Sequence, residues 1–202
     1  MTLALRTIAL APLACLLLSG CRVVEHKNGD KDNVDIGTPF GSMHVNTNSP
    51  MDTAAIGIKV YPGAVPLKHD DKDSDTNSAD VDMSFGGFHL GVKAASFQSS
   101  DQPDKVLAFY RKDLSQYGDV IECRGNTVVG SPTRTSQGLG CDDHNNHSQI
   151  NISNHDDVEL RTGSQLHQHI VGLESRDGGT KIGLVALDLP SHLSNHDSKD
   201  SE

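Results

Sequence analysis

Tryptophan is missing from this chain, and three Tyr and five Phe are the only aromatic residues among 202. With so few large side chains and a negative mean hydropathy, any core must be modest, of a size for one domain with polar extensions. The marks of common enzyme classes are missing too. There is no G-x-S-x-G, no H-E-x-x-H and no Gly-rich loop leading into a helix with a following Lys, so acyl transfer, zinc proteolysis and nucleotide chemistry lack their usual signatures. No catalytic residue is assigned and no cofactor is expected. Basic residues are scarce, 17 Lys+Arg against 27 Asp+Glu, which makes nucleic acid and anionic head groups poor partners. No internal repeat is evident.

Long apolar runs are confined to the beginning, LALRTIALAPLACLLLSGCRVVEHKNG. Arg6 is the only charge before position 20, and Ile8 to Leu18 is apolar apart from Pro12, the order of an n-region and h-region in a leader peptide. A spanning helix needs about 20 apolar residues to cross ~30 Å of hydrocarbon, and charge returns here at Arg22, Glu25 and Lys27. The segment therefore reads as a cleavable leader or a buried helix. Leu18-Ser19-Gly20-Cys21 resembles the lipobox of bacterial lipoproteins, which implies cleavage before Cys21 and acylation of that residue. The competing readings are an ordinary leader with an incidental cysteine and a soluble N-terminal helix. One acyl chain holds only reversibly, at about 0.8 kcal/mol per buried CH₂, whereas two or more hold stably. Position 22 is Arg, where an Asp would resemble the inner-membrane retention signal, so the expected location is the outer membrane, facing the periplasm.

Loss of residues 1–20 would remove one Arg and no acid, leaving 16 Lys+Arg and a net charge of −11. It would also discard Cys15. With Cys21 acylated, Cys123 and Cys141 remain as a pair in an exported protein, for which a disulfide is the economical expectation. Metal ligation by the two thiolates is the alternative, although neither belongs to a C-x-x-C pair.

Residues 21–33 are charged and aperiodic and read as a tether. A single domain is expected over 34–189. VDIGTPFGSMHVNTN (34–48) suggests a short hairpin or edge strands. In TAAIGIKVYPGAVPL, Ile56, Ile58 and Val60 alternate before a Pro62-Gly63 turn of type II chemistry. KHDDKDSDTNSAD (68–80) reads as a disordered acidic loop. Phe88, Leu90, Val92 and Ala94 alternate with His89, Gly91 and Lys93, the pattern of a half-buried strand. A helix follows over 101–117, capped by Ser100 or Asp101, with Pro103 in its first turn. Its Val106, Tyr110, Leu114 and Tyr117 recur at helical spacing, while Arg111, Lys112 and Asp113 are expected to face water. Further strands are predicted at 119–123, 149–153, 164–175 and 180–189, the last two joined by a hairpin at Arg176-Asp177-Gly178-Gly179. Residues 190–202 read as a disordered tail.

One helix among about six short strands at hairpin spacing predicts an α+β domain: a largely antiparallel sheet with one main amphipathic helix on one face. The stretches DIGTPFGSMHVNTN, KVYPGA, SSDQPDKVLAFYRKDLSQYG and GGTKIGLVAL resemble segments of uncharacterised bacterial envelope lipoproteins, and together cover most of 34–189. The resemblance implies location and architecture, and no activity.

Two clusters are candidate metal sites. Asp71, Asp73 and Asp75 alternate as ligands 1, 3 and 5 of an EF-hand loop do, with Asp82 at position 12, yet Thr76 stands where that loop needs Gly and no helix flanks it. A charge run that keeps a loop in water is the preferred reading. Histidine is abundant, 11 residues, with His144, His147 and His155 around an Asn-rich loop beside Asp142 and Asp143. His167 and His169 stand two apart on one strand face, where both imidazoles could reach one ion. The spacing matches no closed zinc site. The expected function is that of a lipid-anchored envelope protein without catalysis, a binding or structural module whose partners are the membrane and an envelope protein. The alternative is a lipoprotein that binds Ca²⁺ or a transition metal through these clusters.

Overall fold

Antiparallel pairing dominates the computed structural model, which describes residues 21–28, 31–47, 53–67, 78–141, 157–176 and 178–191. The strands are β1 (Arg22–Asn28), β2 (Lys31–Thr38), β3 (Gly41–Thr47), β4 (Val65–Pro66), β5 (Ser78–Phe85), β6 (Phe88–Ser99), β7 (Val120–Arg124), β8 (Thr127–Val129), β9 (Val158–Gly163), β10 (His167–Arg176) and β11 (Gly179–Asp188). They form one sheet in the order β1-β2-β3-β5-β6-β11-β10-β9-β7-β8, with β4 on the far part of β6. One α-helix, α1 (Pro103–Leu114), continues as a 3-10 turn to Tyr117. The fold is thus broadly α+β, though mainly β.

The helix forms where its sequence stripe predicts. Val106, Tyr110 and Leu114 are all 0% exposed and close on two cross-strand rows, Val171–Leu184–Ala95 and Leu173–Ile182–Phe97. Gln102 occupies the N-cap and makes no side-chain cap bond. Asp101, expected as a cap, instead accepts hydrogen bonds from the Tyr61 hydroxyl at 2.7 Å and the Lys105 ammonium at 2.9 Å. Asp113 corrects the helical-wheel expectation: it is 7% exposed, accepting the Lys59 N–H at 3.1 Å and pairing with the Lys59 ammonium at 3.0 Å.

Ile56, Ile58 and Tyr61 join the same core, but from a 3-10 turn (Thr53–Ala55) and irregular backbone rather than from a strand. The Pro62-Gly63 turn forms as expected, with Ala64 N–H donating to the Tyr61 carbonyl at 2.9 Å and Gly63 at φ +80°, the left-handed position a type II turn requires. Tyr61 N–H donates to the buried Tyr110 hydroxyl at 3.1 Å, and burial raises the Tyr110 phenol above its ordinary range.

Residues 22–28 and 31–33 are strand, not tether. Every residue of β1 faces a partner on β2, from Arg22 opposite Gly37 to Asn28 opposite Lys31, and this ladder stabilises a stretch whose composition argues against order. Ser78 to Asp80, read as loop, begin β5. The strand expected at 149–153 lies outside the described residues, as do the leader, 68–77 and 192–202. β9, at 158–163, was not anticipated.

On the sheet face away from α1, Ile121, Cys123, Leu139 and Cys141 form a second small core, all 0% exposed. Cys123 and Cys141 are joined by the expected disulfide. Closing a loop of this size contributes about 3 kcal/mol in the chain-entropy model. Alkylation of the folded, unreduced protein should therefore label neither cysteine, and reduction under denaturing conditions should expose both. Modification of either one before reduction would show that the bridge does not form.

Candidate functional site

Past the end of α1 the helix-side face of the sheet turns from apolar to polar. The row after Val171–Leu184–Ala95 carries His169, Ala186, Lys93 and Asp80 directly opposite one another. The next carries His167, Asp188, Gly91 and Asp82, and runs on through His44 to Asp35. Nothing in the described part of α1 covers these rows, because the helix ends at Leu114. A cavity of about 190 Å³ opens there, walled by Ala54 to Gly57 on one side and by His89, Lys93, His167, His169 and Asp188 on the sheet.

Two lining residues, His169 and Gly57, are held in place by Tyr117. The imidazole of His169 stacks on Tyr117 with ring centroids 3.9 Å apart and planes 10° from parallel. The Tyr117 hydroxyl donates to the Gly57 carbonyl, tying the end of the helix to the loop before Ile58. Gly57 stands at φ +78°, and a Cβ there would lie 2.7 Å from the Tyr117 hydroxyl oxygen. Only glycine fits this close approach without moving the wall.

Charges of both signs stand along these two rows. The Lys93 ammonium donates to Asp80 at 2.7 Å. His167 Nδ1 lies 2.7 Å from Asp188, and His89 Nε2 lies 3.8 Å from Asp82. Farther along the same row, His44 Nδ1 is 2.5 Å from Asp35. The three His–Asp pairs are largely solvent-exposed and contribute little stability, while Lys93–Asp80 is half-buried. What they offer is a face of alternating donors and acceptors. Among the described lining residues there is no Ser, Thr or Cys, so the cavity presents hydrogen-bonding and ionic groups without a hydroxyl or thiol nucleophile.

His169 is the half-buried titratable group of this wall. Desolvation lowers its pKa from the ordinary 6.5, and the nearby Asp188 carboxylate opposes that shift. The folded state therefore binds a proton at His169 less readily than the unfolded chain does, so stability attributable to this residue is complete above the unfolded value and falls as pH drops through the lowered folded one. His169→Phe, which keeps an aromatic ring against Tyr117, should lose less stability than the wild type between about pH 7 and pH 5 in thermal melts. Parallel pH profiles for the two proteins would show that His169 does not titrate in this way.

The sheet does bring His167 and His169 to one face and one cavity, as their spacing predicts. Their rings are engaged separately, one with Asp188 and one with Tyr117, and no group of three or more His, Cys, Asp or Glu among the described residues is arranged to hold a metal ion. Asp71, Asp73 and Asp75 lie outside the described residues, as do His144, His147 and His155. Asp82 belongs to β5 and faces His89. Lys93, Asp80 and Asp188 were not singled out in the sequence. The signal was the polar half of the β6 alternation, His89, Gly91 and Lys93, which fits a solvated strand face equally well.

No helix among the described residues is long and apolar enough to cross a membrane. Compared with known proteins, the chain matches no family model, no curated protein and no solved structure.

Proposed function

We propose that this chain is a bacterial envelope lipoprotein, anchored through acyl chains on Cys21 in the outer membrane and facing the periplasm. It acts without catalysis, as a module that binds an envelope partner on the polar sheet face. The observation that carries this reading is Cys21 itself. It follows an apolar run and Leu18-Ser19-Gly20, and it is exposed and free while Cys123 and Cys141 are bridged to each other. The cavity supports a binding role, because it combines Lys93, three histidines and two carboxylates, donors and acceptors of both signs, on one surface. The arginine at position 22 favours the outer membrane.

Cys21→Ser should accumulate as uncut precursor and take up no labelled fatty acid in a bacterial host, whereas the wild type is cut and labelled. Normal labelling of the serine variant would refute the anchor.

A further inference from the structure

Three of the five phenylalanines stand at one end of the sheet. Phe40 occupies the β2–β3 turn, and Phe85 and Phe88 flank the β5–β6 turn; the remaining two, Phe97 and Phe109, belong to the core around α1. Phe40 is 84% exposed and Phe85 39%. These turns are firmly built. The Thr38 hydroxyl accepts the N–H groups of Phe40 and Gly41 at 3.2 and 3.1 Å, and donates to the Gly41 carbonyl at 2.9 Å. Gly86 N–H donates to the Phe40 carbonyl at 3.2 Å, joining one turn to the other. The turns also abut, since a Cβ on Gly41 would lie 2.4 Å from the Phe85 ring. The rings are thus presented to solvent by fixed backbone.

Cys21 lies at this same end. Arg22 faces Gly37 in the β1–β2 ladder, which sets Cys21 beside Thr38 and the Phe40 turn. Because β1 begins at Arg22, no slack separates the cysteine from the sheet. Val23, one residue farther, is 64% exposed. The charge distribution agrees. In a chain of net charge −10, neither turn contains an acid, and the nearest carboxylates on β2 and β5, Asp35 and Asp82, stand three residues back, roughly 10 Å along the strands.

The geometry points to this end of the sheet as a membrane-contact edge: Phe40 and Phe85, with Phe88 behind them, enter the boundary between head groups and acyl chains of the bilayer that holds Cys21. The inference rests on the lipid-anchor reading and deepens it. An exposed aromatic ring gains by leaving water for that boundary, and the covalent anchor keeps both turns within reach of it. The consequence is orientation: β2, β3 and β5 stand on the membrane by their turns, and the polar cavity is carried above the surface.

The absence of tryptophan makes a single introduced Trp an unambiguous reporter. Acylated full-length protein carrying Phe40→Trp, Phe85→Trp or, as control, Val65→Trp would be reconstituted into phosphatidylcholine vesicles with and without brominated acyl chains. Val65 is 50% exposed and pairs with Gln98, ten residues along β6 from Phe88 or ~33 Å at strand rise. Trp at 40 and 85 should show blue-shifted emission and lose most of it to brominated lipid, while Trp at 65 should change in neither respect. Unquenched, red emission at 40 and 85, with acyl groups on Cys21 confirmed by mass spectrometry, would overturn the contact edge and leave the anchor standing. Protein purified without acyl groups on Cys21 would overturn both. Equal quenching at all three positions would mean a sheet lying flat on the bilayer. A blue shift that follows protein concentration rather than brominated lipid would assign the rings to contact between copies; either result also overturns the edge.

Discussion

Leu114→Ala should destabilise the disulfide-intact protein by about 2 to 5 kcal/mol, the range for truncating a fully buried leucine whose surroundings relax only in part. Leu114 is 0% exposed and continues the Val106–Tyr110 stripe over Val171, Leu173, Ile182 and Leu184. Its removal leaves a cavity beneath the last turn of α1, and that turn cannot sink to fill it. The 3-10 segment beyond is held by the Tyr117 bond to Gly57, and Asp113 is fastened to Lys59. Lys112, one position before Asp113 and exposed, provides the comparison, since changes at such a site stay within about 0.5 kcal/mol. Chemical denaturation of both variants decides the point. An unchanged midpoint for Leu114→Ala would mean that α1 does not close the core in this way.

What could be read from the chain in advance was local or periodic. The α1 stripe, the strand at β6, the type II turn at Pro62-Gly63 and the hairpin between β10 and β11 each depend on neighbours within a few residues, and each is in place, although the buried residues of β6, Gly91, Ala95 and Phe97, lie on the face of His89 and Lys93 rather than that of Phe88, Leu90, Val92 and Ala94. Two of the three features that escaped depend on partners distant in sequence; the other is local but carries no pattern. RVVEHKN has no clean alternation and reads as solvated chain, yet it is a strand because the adjacent β2 offers it a full ladder. Ile56, Ile58 and Val60 alternate as a strand would, but their burial comes from lying beneath α1 and asks for no cross-strand partner. Asp113 falls on the outward side of a helical wheel, and the backbone N–H and ammonium of Lys59, 54 residues earlier, draw it inward.

The candidate site shows the same division. That His167 and His169 share a face follows from the two-residue strand period. That Asp188 takes one ring, that Tyr117 takes the other, and that Lys93 and Asp80 complete the adjacent row is decided by the β5–β6–β11–β10 register, which no short motif encodes. The membrane-contact edge is likewise a matter of register: Phe40 and Phe85 are 45 positions apart and meet only because Gly41 pairs with Phe85.

The other large effect is expected at Arg161, a charge that β9 buries on the face away from α1. It is 2% exposed and is flanked across the sheet by Ile170 and Ile121. Its Nε donates to the Glu159 carboxylate, and Nη1 donates to the Gly140 carbonyl at 3.3 Å. One guanidinium thus joins β9 to the segment that carries the disulfide. Arg161→Met keeps much of the apolar stem but withdraws the charge, leaving Glu159, whose side chain is 13% exposed, without its ion partner in a poorly hydrated place. Breaking one half of a buried pair costs about 3 to 5 kcal/mol, mostly from the stranded charge. The double variant Arg161→Met/Glu159→Gln removes both charges and should be more stable than Arg161→Met alone, a positive coupling that a double-mutant cycle measures directly. Arg161→Lys should also be destabilised, because a single ammonium cannot reproduce the planar fork that serves Glu159 and Gly140 together. Denaturation midpoints for the three variants, each with Cys123–Cys141 intact, give the result. An Arg161→Met midpoint equal to wild type would show that the pair contributes nothing there, and additive losses in the double variant would show that Glu159 and Arg161 act independently.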